Sequence, residues 1–180
     1  MITKNEKVQR VLGGSFFERT WLWMISKMQF LLLGAHKDKT DVTLLKQIRK
    51  ERVSMLTAYE SYTILSTARS VKDLVGDMAE VGVFKGASAK ILCGLKGDKQ
   101  LFLFDTFAGL PANAKEDGNV HTEHRYTCSL ESVQQYLDDY DNVHFFKGLF
   151  PDSANTDEAH EILADREHSF VHFDVDLYEG

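Results

Sequence analysis

The spacing of apolar residues changes character once along this chain, near Val71. Ahead of that point the pattern is helical. Leu44, Leu45, Ile48, Leu56, Tyr59 and Leu65 recur near helical spacing, so residues 41–69 read as one long helix with Asp41 able to cap its start. Lys46, Arg49, Lys50, Glu51 and Arg52 form a charged stretch within it, which reads as a solvated face. Residues 1–40 look like an N-terminal appendage, punctuated by Gly13, Gly14 and Gly34. Between those glycines runs the apolar segment Trp21 to Leu33. Lys27 and Gln29 interrupt it, and it falls short of the ~20 residues that span a bilayer. A buried or interface helix is the expectation. The alternative is an amphipathic element lying on a membrane or closing over a substrate.

After Val71, short apolar runs alternate with helical stretches. Strands are expected at about 78–83, 101–104, 143–146 and 170–175, and helices at about 87–95, 129–139 and 158–164. A polar loop covers 108–127. Such alternation predicts an α/β fold with a parallel sheet and connections over its faces. The expected division is a helical extension or lid over 1–70 and a ligand-binding domain over 71–180.

Composition narrows the partners. The net charge of −6 disfavours nucleic acid or an anionic membrane, since both call for a basic face. Cys93 and Cys128 form no CxxC pair, so a structural zinc site is not expected, and reduced thiols in a cytoplasmic protein are the simplest reading.

Two segments carry the chemistry. The first is Met78 to Lys90, MAEVGVFKGASAK, followed by LFLFDTF. Here an acidic residue and an apolar pair lead into two glycines and a helix, and the next strand ends in Asp105. This is how the first two strands of an α/β sheet grip a nucleotide-like ligand. Gly82 and Gly86 would bring the backbone close to the ligand, and Asp105 would take both hydroxyls of a ribose. The middle glycine of a GxGxxG fingerprint is absent and Phe84 is bulky, which disfavours a dinucleotide and a nicotinamide oxidoreductase. S-adenosylmethionine fits better, with Glu80 toward its ammonium group, directly or through water, and Ser88 toward its carboxylate. The bland alternative is a plain strand-to-helix turn with Ser88 as the helix cap.

The second segment is FVHFDVDLYEG. His172, Asp174 and Asp176 alternate, so in a strand they share one face, with the carboxylates at its carboxyl end. Oxygen ligands of this kind suit magnesium or calcium. Alternatively Asp174 caps the following loop and Asp176 is solvated. His172 is expected to pack in the sheet.

Together EVGVFKGASAK, FDTFAGLP, FKGLFPDS and FVHFDVDLYEG resemble, in order and spacing, the macrocin/mycinamicin-type sugar O-methyltransferases, a class I S-adenosylmethionine-dependent family. The likeness covers about residues 41–180. It implies a Rossmann-like sheet in the order 3-2-1-4 and a small hydroxyl acceptor, such as a sugar or glycoside. It implies cofactor contacts at Glu80, Gly82, Ser88 and Asp105, beside Gly86 from the turn itself. It also implies magnesium at Asp174, with Asp176 beside it, and a loop histidine as base. His124 is nearest that position, and His121 is the alternative. Family members continue past the point corresponding to Gly180, through further strands. A fragment is therefore expected, or completion by self-association into a homo-oligomer. The competing expectation is a domain that binds S-adenosylmethionine without turnover.

Overall fold

A computed structural model describes residues 16–110 and 126–175, and the side chains from residue 20 on within the first helix. Three helices come first: α1 (Phe16–His36), α2 (Lys39–Glu51) and α3 (Ala58–Ser70). Strands and helices then alternate as β1 (Asp77–Val81), α4 (Ala87–Cys93), β2 (Leu101–Asp105), α5 (Leu130–Tyr136) and β3 (Val143–Lys147). A 3-10 turn (Asp152–Ala154), α6 (Asp157–Leu163) and β4 (His168–Phe173) follow.

The four strands are parallel, in the order β3-β2-β1-β4. The expected alternation and strand order hold, with element ends differing by a few residues. Both faces of the sheet are covered, as its apolar strands require. Met78, Leu101 and Leu103 face the N-terminal helices, α4 and α5. Ala79, Val81, Phe102 and Phe104 face Phe146 and Ala159 on the other side. Phe30, Leu33, Leu45 and Leu65 share the first cluster, so the N-terminal helices and the sheet enclose common apolar packing. β4 has a partner only at β1 among the described strands, and Val171 and Phe173 on it remain exposed.

The single helix expected over 41–69 is two. Arg52 leaves α2 in an extended conformation, and α3 starts afresh at Thr57. There the Thr57 hydroxyl accepts the Glu60 N–H while the Glu60 carboxylate accepts the Thr57 N–H at 2.6 Å. This reciprocal cap satisfies two amides that a helix start otherwise leaves unpaired. Asp41 is not a cap either. Asp38 caps α2, accepting from Thr40 and Asp41 N–H, and buried Asp41 forms a bidentate pair with Arg69. Nor is the charged stretch simply solvated. Arg52 donates to Ser132, and Glu51 receives both Lys90 Nζ and the Tyr136 hydroxyl, tying α2 to α4 and α5.

The apolar segment at 21–33 lies wholly within α1, with Ser26, Phe30 and Leu33 buried on one side and Trp21, Met24, Met28 and Leu31 exposed on the other. Among the described residues no helix is long and apolar enough to cross a membrane.

Candidate active site

In the order β3-β2-β1-β4 the chain runs outward from β1 through β2 to β3, then returns to the other side of β1. Open α/β sheets bind ligands at such a reversal, outside the carboxyl ends of the strands. A cavity of about 370 Å³ lies there. Every strand exit contributes: Val81 and Gly82 after β1, Asp105 and Thr106 after β2, Gly148 to Phe150 after β3, and Asp174 and Val175 after β4. The opposite wall comes from the N-terminal helices and their linker, through Leu22, Met55, Leu56, Thr57 and Glu60.

Asp105 touches the β1–α4 turn directly. Its Oδ2 accepts the N–H groups of Val83 at 2.7 Å and Phe84 at 2.8 Å, and its Oδ1 accepts the Phe107 N–H at 2.7 Å. Phe84 and Phe107 both have positive φ, at 49° and 51°, where residues with a β-carbon are strained. One carboxylate thus stabilises two left-handed phenylalanines on two loops. Asp105 is expected to take both ribose hydroxyls, and the structure adds three backbone bonds to that task. A carboxylate has about four acceptor positions. Oδ2 accepts two backbone donors, and Oδ1 keeps room beside the Phe107 N–H and a long 3.5 Å approach of the Thr106 hydroxyl.

The glycines serve the protein's own packing first. A β-carbon on Gly82, at φ 90°, would lie 2.1 Å from the Asp174 carbonyl oxygen. One on Gly86, at φ 79°, would press on the Val133 side chain at 3.1 Å. Gly82 also lines the cavity, whereas Gly86 does not. Gly86 rather than Ser88 occupies the cap position of α4, and it makes no side-chain cap.

Glu80 sits behind the cavity wall rather than on it. It is fully buried, and its Oε1 pairs with His172 Nδ1 at 2.9 Å across neighbouring positions of β1 and β4. Burial pushes its carboxyl up, and His172 opposes that shift. Buried Ser88 also favours the charged form, but Oε2 has no well-formed hydrogen bond. Burial lowers the His172 pKa, and the bond and charge of Glu80 outweigh it, so the imidazole ends above its ordinary value. His172 packs in the sheet as expected, with Glu80 as its specific partner.

Asp174 follows β4 and lines the cavity. Desolvation pushes its carboxyl up, His172 opposes, and Glu60 on the facing wall adds to the rise. Asp176, His121 and His124 lie outside the described residues. Among the described residues no group of three His, Cys, Asp or Glu side chains could hold a metal ion.

The remaining wall is aromatic. Phe104 and Phe150 approach edge-to-face with ring centroids 5.6 Å apart, and Phe84 meets Tyr126 likewise at 5.5 Å. The residue pattern left Glu60 and Thr57 unnoticed, although Thr-x-x-Glu ahead of an apolar run marks a helix start. It also left Arg49 on a solvated face. Arg49 donates to the carbonyls of Leu22 at 3.2 Å and Leu56 at 2.5 Å, two residues of the cavity wall. Burial lowers its pKa without another charge to offset it.

The family model described as macrocin-O-methyltransferase (TylF) matches residues 50–180 of the chain. Among solved structures, the crystal structure of CalS11, a calicheamicin methyltransferase, matches with a TM-score of 0.56 and 18% identity, over 80% of this chain and 70% of that one. That likeness is one of fold. No curated protein sequence matches the chain.

Proposed function

The chain belongs to the macrocin-O-methyltransferase family, and from that premise we propose that it methylates a hydroxyl of a sugar or related small natural product, with S-adenosylmethionine as donor. The observation that carries this reading is the charge of the cavity wall. Glu60, Asp105 and Asp174 line it, and no Lys, Arg or His does among the described residues. A dinucleotide brings phosphates and calls for basic side chains or free helix amides. A sulfonium with an ammonium group calls for the opposite. The cavity volume also lies within the range of about 300–1,000 Å³ usual for small-molecule sites.

When bound, the cofactor supplies an electrophilic methyl group, and the protein's task is to bind, orient and exclude water. Asp105 fixes the turn through Val83 and Phe84 and offers Oδ1 to one ribose hydroxyl. Phe84, Phe104, Phe150 and Tyr126 present flat apolar faces that keep water from the ligand. Glu60 and Asp174 set negative charge against a cationic group. Glu80 and Ser88, lying behind the wall, act on the ligand through the turn they support. The helical wall from Leu22 to Glu60 then shapes the acceptor's side of the cavity. His124, or His121 in its place, takes the proton of the acceptor hydroxyl in this reading.

Asp174 and Asp176 would hold magnesium, which would lower the pKa of a bound hydroxyl. The support is the Asp174 carboxylate on the wall, an exposed side chain whose negative charge, raised in pKa by its surroundings and by Glu60 opposite, a cation would offset. The test is calorimetric titration with S-adenosylmethionine, with and without magnesium, beside NAD as a rival ligand. Binding of S-adenosylmethionine alone is expected, and preference for NAD would overturn the reading. Binding without methyl transfer to any glycoside offered would favour a non-catalytic domain. An affinity for the acceptor that ignores both magnesium and Asp174→Asn would remove the metal from the scheme.

A further inference from the structure

α1 has two apolar faces, and the body of the protein uses one. Ser26, Phe30 and Leu33 are buried against the neighbouring helices. On the outward side Trp21, Met24, Met28 and Leu31 are 49%, 52%, 64% and 75% exposed, and Leu32 is 50% exposed beside them. Scattered exposed apolar residues are ordinary, but a contiguous stripe on one helix is not. Trp21, Met24, Met28, Leu31 and Ala35 are separated by three, four, three and four residues. That alternation is the seam by which one helix packs lengthwise on another.

We propose that this seam is the interface between two copies of the chain, with their α1 helices packed antiparallel about a two-fold axis. The seam tapers, from the indole of Trp21 at its amino end to Gly34 and Ala35 at its carboxyl end. Antiparallel pairing sets the bulky end of each copy over the small end of the other. The surface is therefore complementary to itself, as an isologous contact requires. Five large side chains, between 49% and 75% exposed, contribute from each copy. Together they bring the pair to roughly the 1,000 Å² that a specific interface must exceed.

A membrane is the poorer occupant. A helix lying on anionic lipid carries Lys and Arg along its polar face. α1 holds Arg19, Lys27 and His36 as its basic residues, with Glu18 beside Arg19, and Lys27 Nζ sits over the Trp23 ring at 3.7 Å. The net charge of −6 adds to that argument.

The test is the mass of the full chain in solution by light scattering across a concentration series. A dimer of 20.5 kDa chains is expected. Met28→Glu with Leu31→Glu should convert it to a monomer with an unchanged far-ultraviolet circular dichroism spectrum, since both side chains are already exposed. Oxidative cross-linking gives an independent reading of orientation. A Trp21→Cys copy should link to an Ala35→Cys copy faster than Ala35→Cys links to itself. A wild-type monomer at every concentration would overturn the proposal. So would a dimer that survives both glutamates, fast self-linking of Ala35→Cys, or a monomer that sediments with anionic phosphatidylserine vesicles.

Discussion

Asp105 accepts the backbone N–H of Phe84 at 2.8 Å, and Phe84 holds a left-handed backbone conformation while lining the cavity. A residue read as a ligand group thereby becomes, first, the anchor of the turn that faces the ligand. Asp105→Ala should remove three backbone hydrogen bonds to a carboxylate, each of order 1.5–3 kcal/mol. The variant should lose S-adenosylmethionine binding by tenfold or more and melt several degrees lower. Asp105→Asn keeps one carbonyl oxygen and should fall between the two. An Asp105→Ala protein with unchanged affinity and melting temperature would show that neither role is real.

Gly82 meets β4 backbone to backbone. Gly82→Ala places a methyl 2.1 Å from the Asp174 carbonyl oxygen and strains a φ of 90°. The cost should exceed the ~1–3 kcal/mol of an ordinary strained backbone position. Expected is loss of soluble folded protein, or a large drop in the denaturant midpoint. A variant as stable as the parent would mean that the two strand exits lie further apart than described. Gly97→Ala is the control, at φ 59° with nothing within 4 Å of the added carbon. It should lose only about 1 kcal/mol.

Arg49 ties α1 to the α2–α3 linker through the Leu22 and Leu56 carbonyls. Arg49→Lys keeps the charge but replaces the forked donor with one that reaches a single carbonyl well. Faster proteolytic nicking within residues 52–57 is expected, with several-fold weaker ligand binding. If nicking and binding both stay at wild-type levels, the two carbonyls do not depend on this guanidinium.

Cys93 lies buried in α4, and burial pushes its thiol up to about 12. The native protein should leave it unmodified by a thiol-exchange reagent at pH 8, with labelling appearing on denaturation. The raised value also predicts an alkaline trend. The folded state keeps a proton that the unfolded chain gives up near 8.5. The stability from this group is whole below that value and declines as pH climbs from there through about 12. Cys93→Ala should flatten that part of the stability profile. An equally steep decline in the variant would assign the effect to other groups.

The fold was legible because its signals are local and repeated. Continuous apolar runs such as Leu101 to Phe104 declare strands buried on both faces, and glycines at 82 and 86 declare the turn between β1 and α4. The break between α2 and α3 was written in Thr57 and Glu60. The helical spacing of Leu56, Tyr59 and Leu65 runs across it and hides it. Side-chain partners were harder to read, because they depend on which elements meet. Nothing beside Asp41 in sequence announces Arg69, and nothing beside Glu80 announces His172. Asp105 lies on the cavity wall, and the three amides it accepts were invisible beforehand, because backbone donors carry no mark in a residue pattern. His124, chosen by likeness to a family, and Asp176, chosen by its alternation with His172 and Asp174, fall outside the described residues.

With no Cβ between the exit of β1 and the carbonyl that follows β4, those two peptide units touch without any cushioning atom. A push on β4 from its side away from β1 is therefore felt, one residue later, at the floor where a ligand would rest.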